Sequence, residues 1–230
     1  MGVFEYTNKG GRERNQDYLT YKNGPDKVSV YVVADGMGGY VAGDIAAKLV
    51  GDSVVEFVGA HYSELNPEDL LKQAYKYADD CLKDKRTTLG GGEMGSVIVA
   101  VLIIDKVAHI AWLGDSRAYV LRNGDIHYVT VDHSMINELM AAGTFKESDR
   151  ARYESCVTRC IMGDGLSYDV GYKTLELEND DVIILCSDGL HKELAVEFLP
   201  EDDELLRKQL EALAPSMADN CTLIRIKITL

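Results

Sequence analysis

The chain has 230 residues, 46% of them hydrophobic, a formal net charge of −14 and a pI near 4.7. That length suits a single domain spanning residues 1–230, and the acidity argues against a basic nucleic-acid face or attraction to an anionic membrane. No apolar run reaches spanning length, the N-terminus has no signal-peptide pattern, and Tyr6 breaks the myristoylation pattern. Five scattered cysteines (Cys81, Cys156, Cys160, Cys186 and Cys221) form no CxxC pair. They predict reduced, buried thiols in a cytoplasmic protein, with no zinc site.

Asp17 stands before a predicted strand, and "VSVYVVA" reads as the next strand. A helix is predicted from about residues 42–44, with Ile45, Leu49, Val50, Val54, Phe57 and Val58 at helical spacing. A second opens at "NPED", with Asn66 as N-cap and Pro67 at the first helical position. Its apolar face is Leu71, Ala74, Ala78, Cys81 and Leu82. Strands follow at "SVIVAVLII", "VAHIAWL", "RAYVLR" and "IHYVTV", with a hairpin turn at Asn123-Gly124. "VIVAVLII" lacks clean alternation, so both of its faces should be covered. Residues 134–165 mix short helical pieces with charge and are long for a connection, which suggests a functional flap. Strands resume at "YKTLELE" and "VIILCS", and a helix after Pro200 carries Leu206, Leu210 and Leu213. In the final "TLIRIKITL", Ile224, Ile226 and Ile228 share one face and Arg225 and Lys227 the other. Strands and helices do not alternate regularly, so an α+β fold with antiparallel sheets covered by helices is expected.

Aspartates recur at strand ends. Asp35 lies in "VVADGMGG", Asp115 in "AWLGDSRAY" and Asp188 in "ILCSDGL", while Asp219 precedes the last strand. If they converge, mutual repulsion would draw in protons or metal ions, and oxygen-only ligands favour Mg2+ or Mn2+ over zinc. A backbone carbonyl such as that of Gly36 can ligate where no side chain blocks approach. The bland alternative is that each Asp-Gly is a turn. Composition and spacing leave both readings open.

The ordered series "GRERNQD", "VVADGMGG", "GEMGSVIVAVLI", "LGDSRAY", "VTVDHS", "CSDGL" and "ADNCTLIRI" resembles the bacterial form of the PPM family of metal-dependent Ser/Thr protein phosphatases (type 2C). The likeness runs from about Gly10 to the C-terminus. It implies a four-layer sandwich, two antiparallel β-sheets flanked by α-helices, with a dinuclear metal cleft at one end. It implies that Asp35 bridges two Mn2+ or Mg2+ ions. Asp188 and Asp219 would complete one ion's protein ligands and the Gly36 carbonyl the other's. Gln16 and Asp17 would stand behind the metal waters, and Asp115 with Asp188 would hold a weaker third ion. Arg12 would bind the substrate phosphate, a role suited to a charged bidentate donor, although Arg14 lies close by. A water bridging the ions would attack phosphorus in line.

The substrates so implied are phosphoproteins modified by a Ser/Thr kinase. Met37 stands where animal members carry a histidine proposed to protonate the leaving group, so the acid is open between water, a water on the third metal ion and His133, the last read here as structural. Ser116 and Trp112 read as packing residues. The alternative function is a pseudophosphatase acting as a regulatory binding module, but every metal acid of the family pattern is present. A calcium-binding protein is disfavoured because no DxDxDG loop occurs.

Overall fold

A computed structural model describes residues 2–25, 27–37 and 42–230; Gly38 and Gly39 of the glycine-rich turn lie outside the described residues. Among the described residues, ten strands form two five-stranded antiparallel sheets. The strands are β1 (Gly2–Asn8), β2 (Asp17–Asn23), β3 (Val28–Gly36), β4 (Ser96–Ile104) and β5 (Val107–Leu113), then β6 (Arg117–Arg122), β7 (Asp125–Val129), β8 (Gly171–Glu176), β9 (Val182–Cys186) and β10 (Cys221–Lys227). One sheet has the order β1-β10-β9-β6-β7 and the other β2-β3-β4-β5-β8.

Burial on both faces explains the blurred alternation of the central strands. Val28, Val30, Val32 and Ala34 of β3 face helices α1 (Gly43–His61) and α2 (Pro67–Thr88). Tyr31 and Val33 point the other way, into the space between the sheets. β4 divides likewise, with Ile98, Ala100 and Leu102 under the helices and Val99, Val101 and Ile103 between the sheets. A third apolar cluster lies outside β9 and β10, where Leu206 and Leu210 of α6 (Asp203–Leu213) cover Ile184, Cys186 and Leu223. The order helices, sheet, sheet, helix is the expected four-layer α+β sandwich. Each buried Val, Ile or Leu stabilises it by roughly 1.5–3 kcal/mol against an exposed one, offset by chain entropy.

Several local expectations hold. The Asn66 side chain accepts the Asp69 N–H at 3.0 Å, capping α2 ahead of Pro67. Asn123 and Gly124 take positive φ angles of 55° and 85°, closing the β6–β7 hairpin. Trp112 is buried and donates its indole N–H to the Val131 carbonyl at 2.8 Å.

Others need correction. β1 is a strand that the alternation pattern did not reveal, because only Phe4 and Tyr6 of its side chains are fully buried. Ile45 is exposed; α1 instead buries Ala46, Ala47, Val50, Gly51, Val54 and Val58. Its small residues allow close approach, and a side chain on Gly51 would press against Tyr18. All five cysteines are unpaired, but only Cys186 and Cys221 are buried; Cys156 is exposed and Cys81 and Cys160 are half-buried. Arg225 does share its face with Lys227, yet it is buried, lying over the Phe4 ring and bonded to the Pro200 and Glu201 carbonyls.

Residues 134–165 form α3 (Met135–Ala141), a short 3-10 turn and α4 (Arg150–Tyr153), none of which buries a side chain. The stem is tied down at both ends. Met135 N–H bonds the Cys156 carbonyl, Thr158 N–H bonds that of His133, and Ile161 pairs with Ser96. Beneath it, the buried carboxylate of Asp79 accepts the N–H groups of Met162, Gly163 and Gly165. No described helix is long and apolar enough to cross a membrane.

Candidate active site

Antiparallel pairing delivers the strand-end acids to one edge of the sandwich. Asp17, at the start of β2, lies opposite Asp35 near the end of β3. Gly36 pairs with Ser96 at the start of β4. β5 and β6 meet at the same edge, with Asp115 between them. In the other sheet, the end of β9 leads into Asp188, the first residue of the one-turn helix α5 (Asp188–His191), and Asp219 precedes β10.

The electrostatics show the five carboxylates acting on one another. Burial, then Asp17, Asp188, Asp115 and Asp219 in that order, pushes the Asp35 carboxyl well above its ordinary range. Burial first, and then Asp188 and Asp219, lifts Asp17 to about 7 despite hydrogen bonds that oppose the shift. Asp115 is pushed up to about 6 by burial and Asp188, against the pull of Lys192. Like charges held together out of water must take up protons or cations.

Two cations already touch the cluster. Arg12, half-exposed, donates to Asp219 Oδ2 at 2.7 Å. Lys192 donates to Asp188 Oδ2 at 2.6 Å. Arg12 therefore lies beside the acid cluster, with its guanidinium directed at Asp219. Gln16 turns out to be a hinge of the backbone. Its N–H bonds Asn220 Oδ1 at 2.8 Å, its carbonyl accepts the Gly36 N–H at 3.0 Å, and its amide lies against Gly43. Gly36 has a packing reason to be glycine, since a Cβ there would stand 2.1 Å from the Gly43 carbonyl oxygen. The need for closeness at this strand end thus comes first from the start of α1.

Several residues that build the site carried no separate signal in the sequence. Ser187 donates to Asp17 Oδ2 at 2.7 Å and accepts the Thr222 N–H, locking β2 to β9 and β10. Asn220 is buried and ties the Lys9 and Arg14 carbonyls to the Gln16 N–H. Gly189 has no room for a Cβ, which would lie 2.0 Å from the Asn220 carbonyl. His191 Nε2 donates to the Asp115 carbonyl at 2.9 Å. Ser96 Oγ donates to the Asp35 carbonyl at 3.0 Å. The clue for Ser187, Asn220, Gly189 and His191 was adjacency to the acids in "CSDGLH" and "ADN", and Ser96 belongs to "MGS", the loop entering a core strand and expected to pack against the site.

His133 is structural. Its ring stacks on Trp112, its Nδ1 accepts the Gly114 N–H at 3.3 Å, and burial pulls its pKa down to about 4. Ser116 is buried just before β6 rather than within it, with its hydroxyl unpartnered. A shallow groove of about 480 Å³ runs beside Asp17, flanked by Asn15, Asp44, Ile45 and Lys48. A separate cavity of about 570 Å³ lies at the far end of β9 among Arg122, Asp181 and Arg225. There Arg122 is paired with Asp181, and Arg225 with Asp203.

Among the described residues, no three acidic, histidine or cysteine side chains are arranged as a ready-made metal cage. The chemistry nonetheless fits a hard divalent cation. The donors are all oxygens, Asp17, Asp35 and Asp115 are raised, and Asp17 Oδ1 is buried with no hydrogen-bond partner. An unpartnered buried carboxylate oxygen costs about 1–3 kcal/mol or more, which a metal-bound water or ion would relieve.

Residues 8–222 match the Protein phosphatase 2C family. The chain is 33% identical over 187 residues to protein phosphatase PhpP of Streptococcus pneumoniae, covering 78% of this chain and 74% of that protein. A serine/threonine phosphatase structure from S. agalactiae superposes with a TM-score of 0.79 at 27% identity, covering 99% of both chains. The catalytic domain of the phosphatase PstP, described in complex with two manganese ions, shares the fold, with a TM-score of 0.80 at 23% identity over 100% of this chain and 98% of that one.

Proposed function

The chain belongs to the protein phosphatase 2C family and is a protein serine/threonine phosphatase, and we propose that it uses two Mn2+ or Mg2+ ions to release phosphate from phosphoserine and phosphothreonine. The observation that carries the metal reading is the knot of raised carboxylates around the unpartnered Asp17 Oδ1. Asp35, Asp188, Asp219 and the Gly36 carbonyl would hold the ions, with Asp17 and Gln16 behind them. When bound, such ions would supply a water acidic enough to act as nucleophile near neutral pH and would neutralise charge on the transferring phosphoryl group.

This chain's own groups do the rest. Arg12 reaches over Asp219 from a half-exposed position, where it can release one carboxylate contact and grip a phosphate with its remaining N–H donors. Asp17 Oδ1, buried and without a partner, is placed to accept a hydrogen bond from a water. His133 is stacked on Trp112 and engaged at Nδ1 by Gly114, which favours water as the leaving-group acid.

The substrates would be proteins phosphorylated by a Ser/Thr kinase, and the five unpaired cysteines support a cytoplasmic setting. A pseudophosphatase role finds no support in the site, since every carboxylate of the family pattern is present. The experiment is hydrolysis of a panel of phosphoserine and phosphothreonine peptides with Mn2+, with Mg2+ and with excess EDTA. Turnover with either metal and none in EDTA is expected; undiminished turnover in EDTA would remove the metal reading.

A further inference from the structure

Asp188 and Asp115 are served by one turn of helix. α5 begins at Asp188, and the Lys192 N–H closes the turn on the Asp188 carbonyl at 3.0 Å. The i,i+4 geometry then lays the lysine stem back along the helix toward Asp188. Its Nζ stands 2.6 Å from Asp188 Oδ2, and the Asp188 side chain is only 15% exposed. The preceding residue, His191, bonds the Asp115 carbonyl at 2.9 Å and so fixes the β5–β6 loop beside the same turn. Asp115 and Asp219 join Asp188 among the acids whose charge acts on the ammonium.

We propose that the ammonium group of Lys192 is a built-in cation standing at Asp188 and Asp115, in the place of a weak third divalent ion, so that this chain holds two metal ions rather than three. The inference rests on the two-ion reading above. Charge counting favours it. Five aspartates against Arg12 and Lys192 leave three negative charges at the site. Two divalent ions exceed that by one. A third would add two more positive charges beside an ammonium already held at hydrogen-bond distance, with no further carboxylate to offset them. A tethered ammonium also needs no free metal, so the charge at this position does not vary with metal supply. Lys192 is a positioning residue here: it holds Asp188 in one orientation and screens it from Asp115.

The test is metal stoichiometry, read by calorimetric titration of the full chain with Mn2+ and by electron paramagnetic resonance of free Mn2+. The proteins are wild type, Lys192→Ala, Lys192→Asn, Asp115→Asn and Lys192→Ala combined with Asp115→Asn, each checked by circular dichroism and thermal melting. Wild type should take up two equivalents with no weaker phase. Each Lys192 variant should gain one further, weaker equivalent, and adding Asp115→Asn should remove it. The proposal is overturned if wild type binds a third weak equivalent that Asp115→Asn abolishes, or if neither lysine variant binds more Mn2+ than wild type. Failure of the two-ion reading looks different: wild type would then bind no Mn2+ at all.

Discussion

Asp181 and Asp17 are both buried aspartates, and they lie toward opposite ends of β9, but their surroundings could hardly differ more. Asp181 receives both teeth of the Arg122 guanidinium, at 2.9 and 2.8 Å, and the Glu178 N–H at 2.8 Å. Burial alone would raise its pKa, but Arg122 and that N–H outweigh burial and lower it. Asp17 has a serine hydroxyl on one oxygen, nothing on the other, and negative neighbours, and it is raised to about 7. One fold thus contains a finished carboxylate site and an unfinished one. A satisfied carboxylate serves stability. A carboxylate left in conflict is reserved for a ligand, and this distinction separates the candidate active site from the larger cavity at the far end.

The sharpest way to break this comparison is to neutralise one acid at each end. Asp35→Asn should cut turnover about a thousandfold or more, because a charged ligand is lost where the transferring phosphoryl charge must be met. In EDTA its melting temperature should stay level or rise, since a repelling charge among Asp17, Asp188, Asp115 and Asp219 is gone. A fall in melting temperature that matches the loss of activity would mean that Asp35 supports the fold.

The far end should answer in the opposite way. Arg122→Ala leaves Asp181, 1% exposed, without its countercharge. Removing the partner of a buried carboxylate should lower the melting temperature clearly. Its kcat/KM, measured well below the melting transition, should match wild type. An unchanged melting temperature would show that solvent already satisfies Asp181.

The comparison also explains what could be read from the sequence. The covered strands β3 and β4, the Asn66-Pro67 helix start and the Asn123-Gly124 turn were legible because each depends on residues adjacent in the chain. Asp35 and Asp188 stood out because apolar runs ending in Asp-Gly recur, but that pattern alone fits a turn as well as a site. Ile45 misled because α1 packs through Ala46, Ala47 and Gly51, and closeness of packing is a property of the neighbour, not of the helix. Ser187, Asn220 and Lys192 were not legible as site residues. Each acts on a carboxylate or carbonyl brought to it by pairing across the sheets, or by a turn too short to show periodicity.

A smaller effect tests Arg12, the cation placed to leave its carboxylate for substrate. Arg12→Ala should lower kcat/KM for a phosphopeptide by tens-fold, about 2 kcal/mol for a lost charge-assisted contact, mainly through KM. Arg14→Ala, whose backbone carbonyl rather than side chain serves the site through Asn220, should change it little. Equal losses in steady-state kinetics would move the phosphate contact off Arg12.

The finest test follows a proton. In the folded chain Asp17 keeps its proton up to about pH 7, whereas its ordinary value is 3.8. Between those values the folded state binds more protons than the unfolded state, so stability falls as pH rises. This contribution is fully present below about pH 4 and gone by about pH 7, at a slope on the order of 1 kcal/mol per pH unit. Asp115, raised to about 6, adds a slope of the same sign over a shorter range. Asp181, with its lowered pKa, does the reverse: its contribution is held above its ordinary value and lost only as acid protonates it. Melting curves in EDTA from pH 4 to 8 should therefore show wild type losing stability relative to Asp17→Asn up to about pH 7 and running parallel to it beyond. Parallel curves throughout would mean that Asp17 titrates as an ordinary carboxyl and that its free oxygen is satisfied. Added Mn2+ should invert the wild-type slope, because a metal that displaces these protons binds more tightly as pH rises. A slope unmoved by Mn2+ would place the ions away from the carboxylates in conflict.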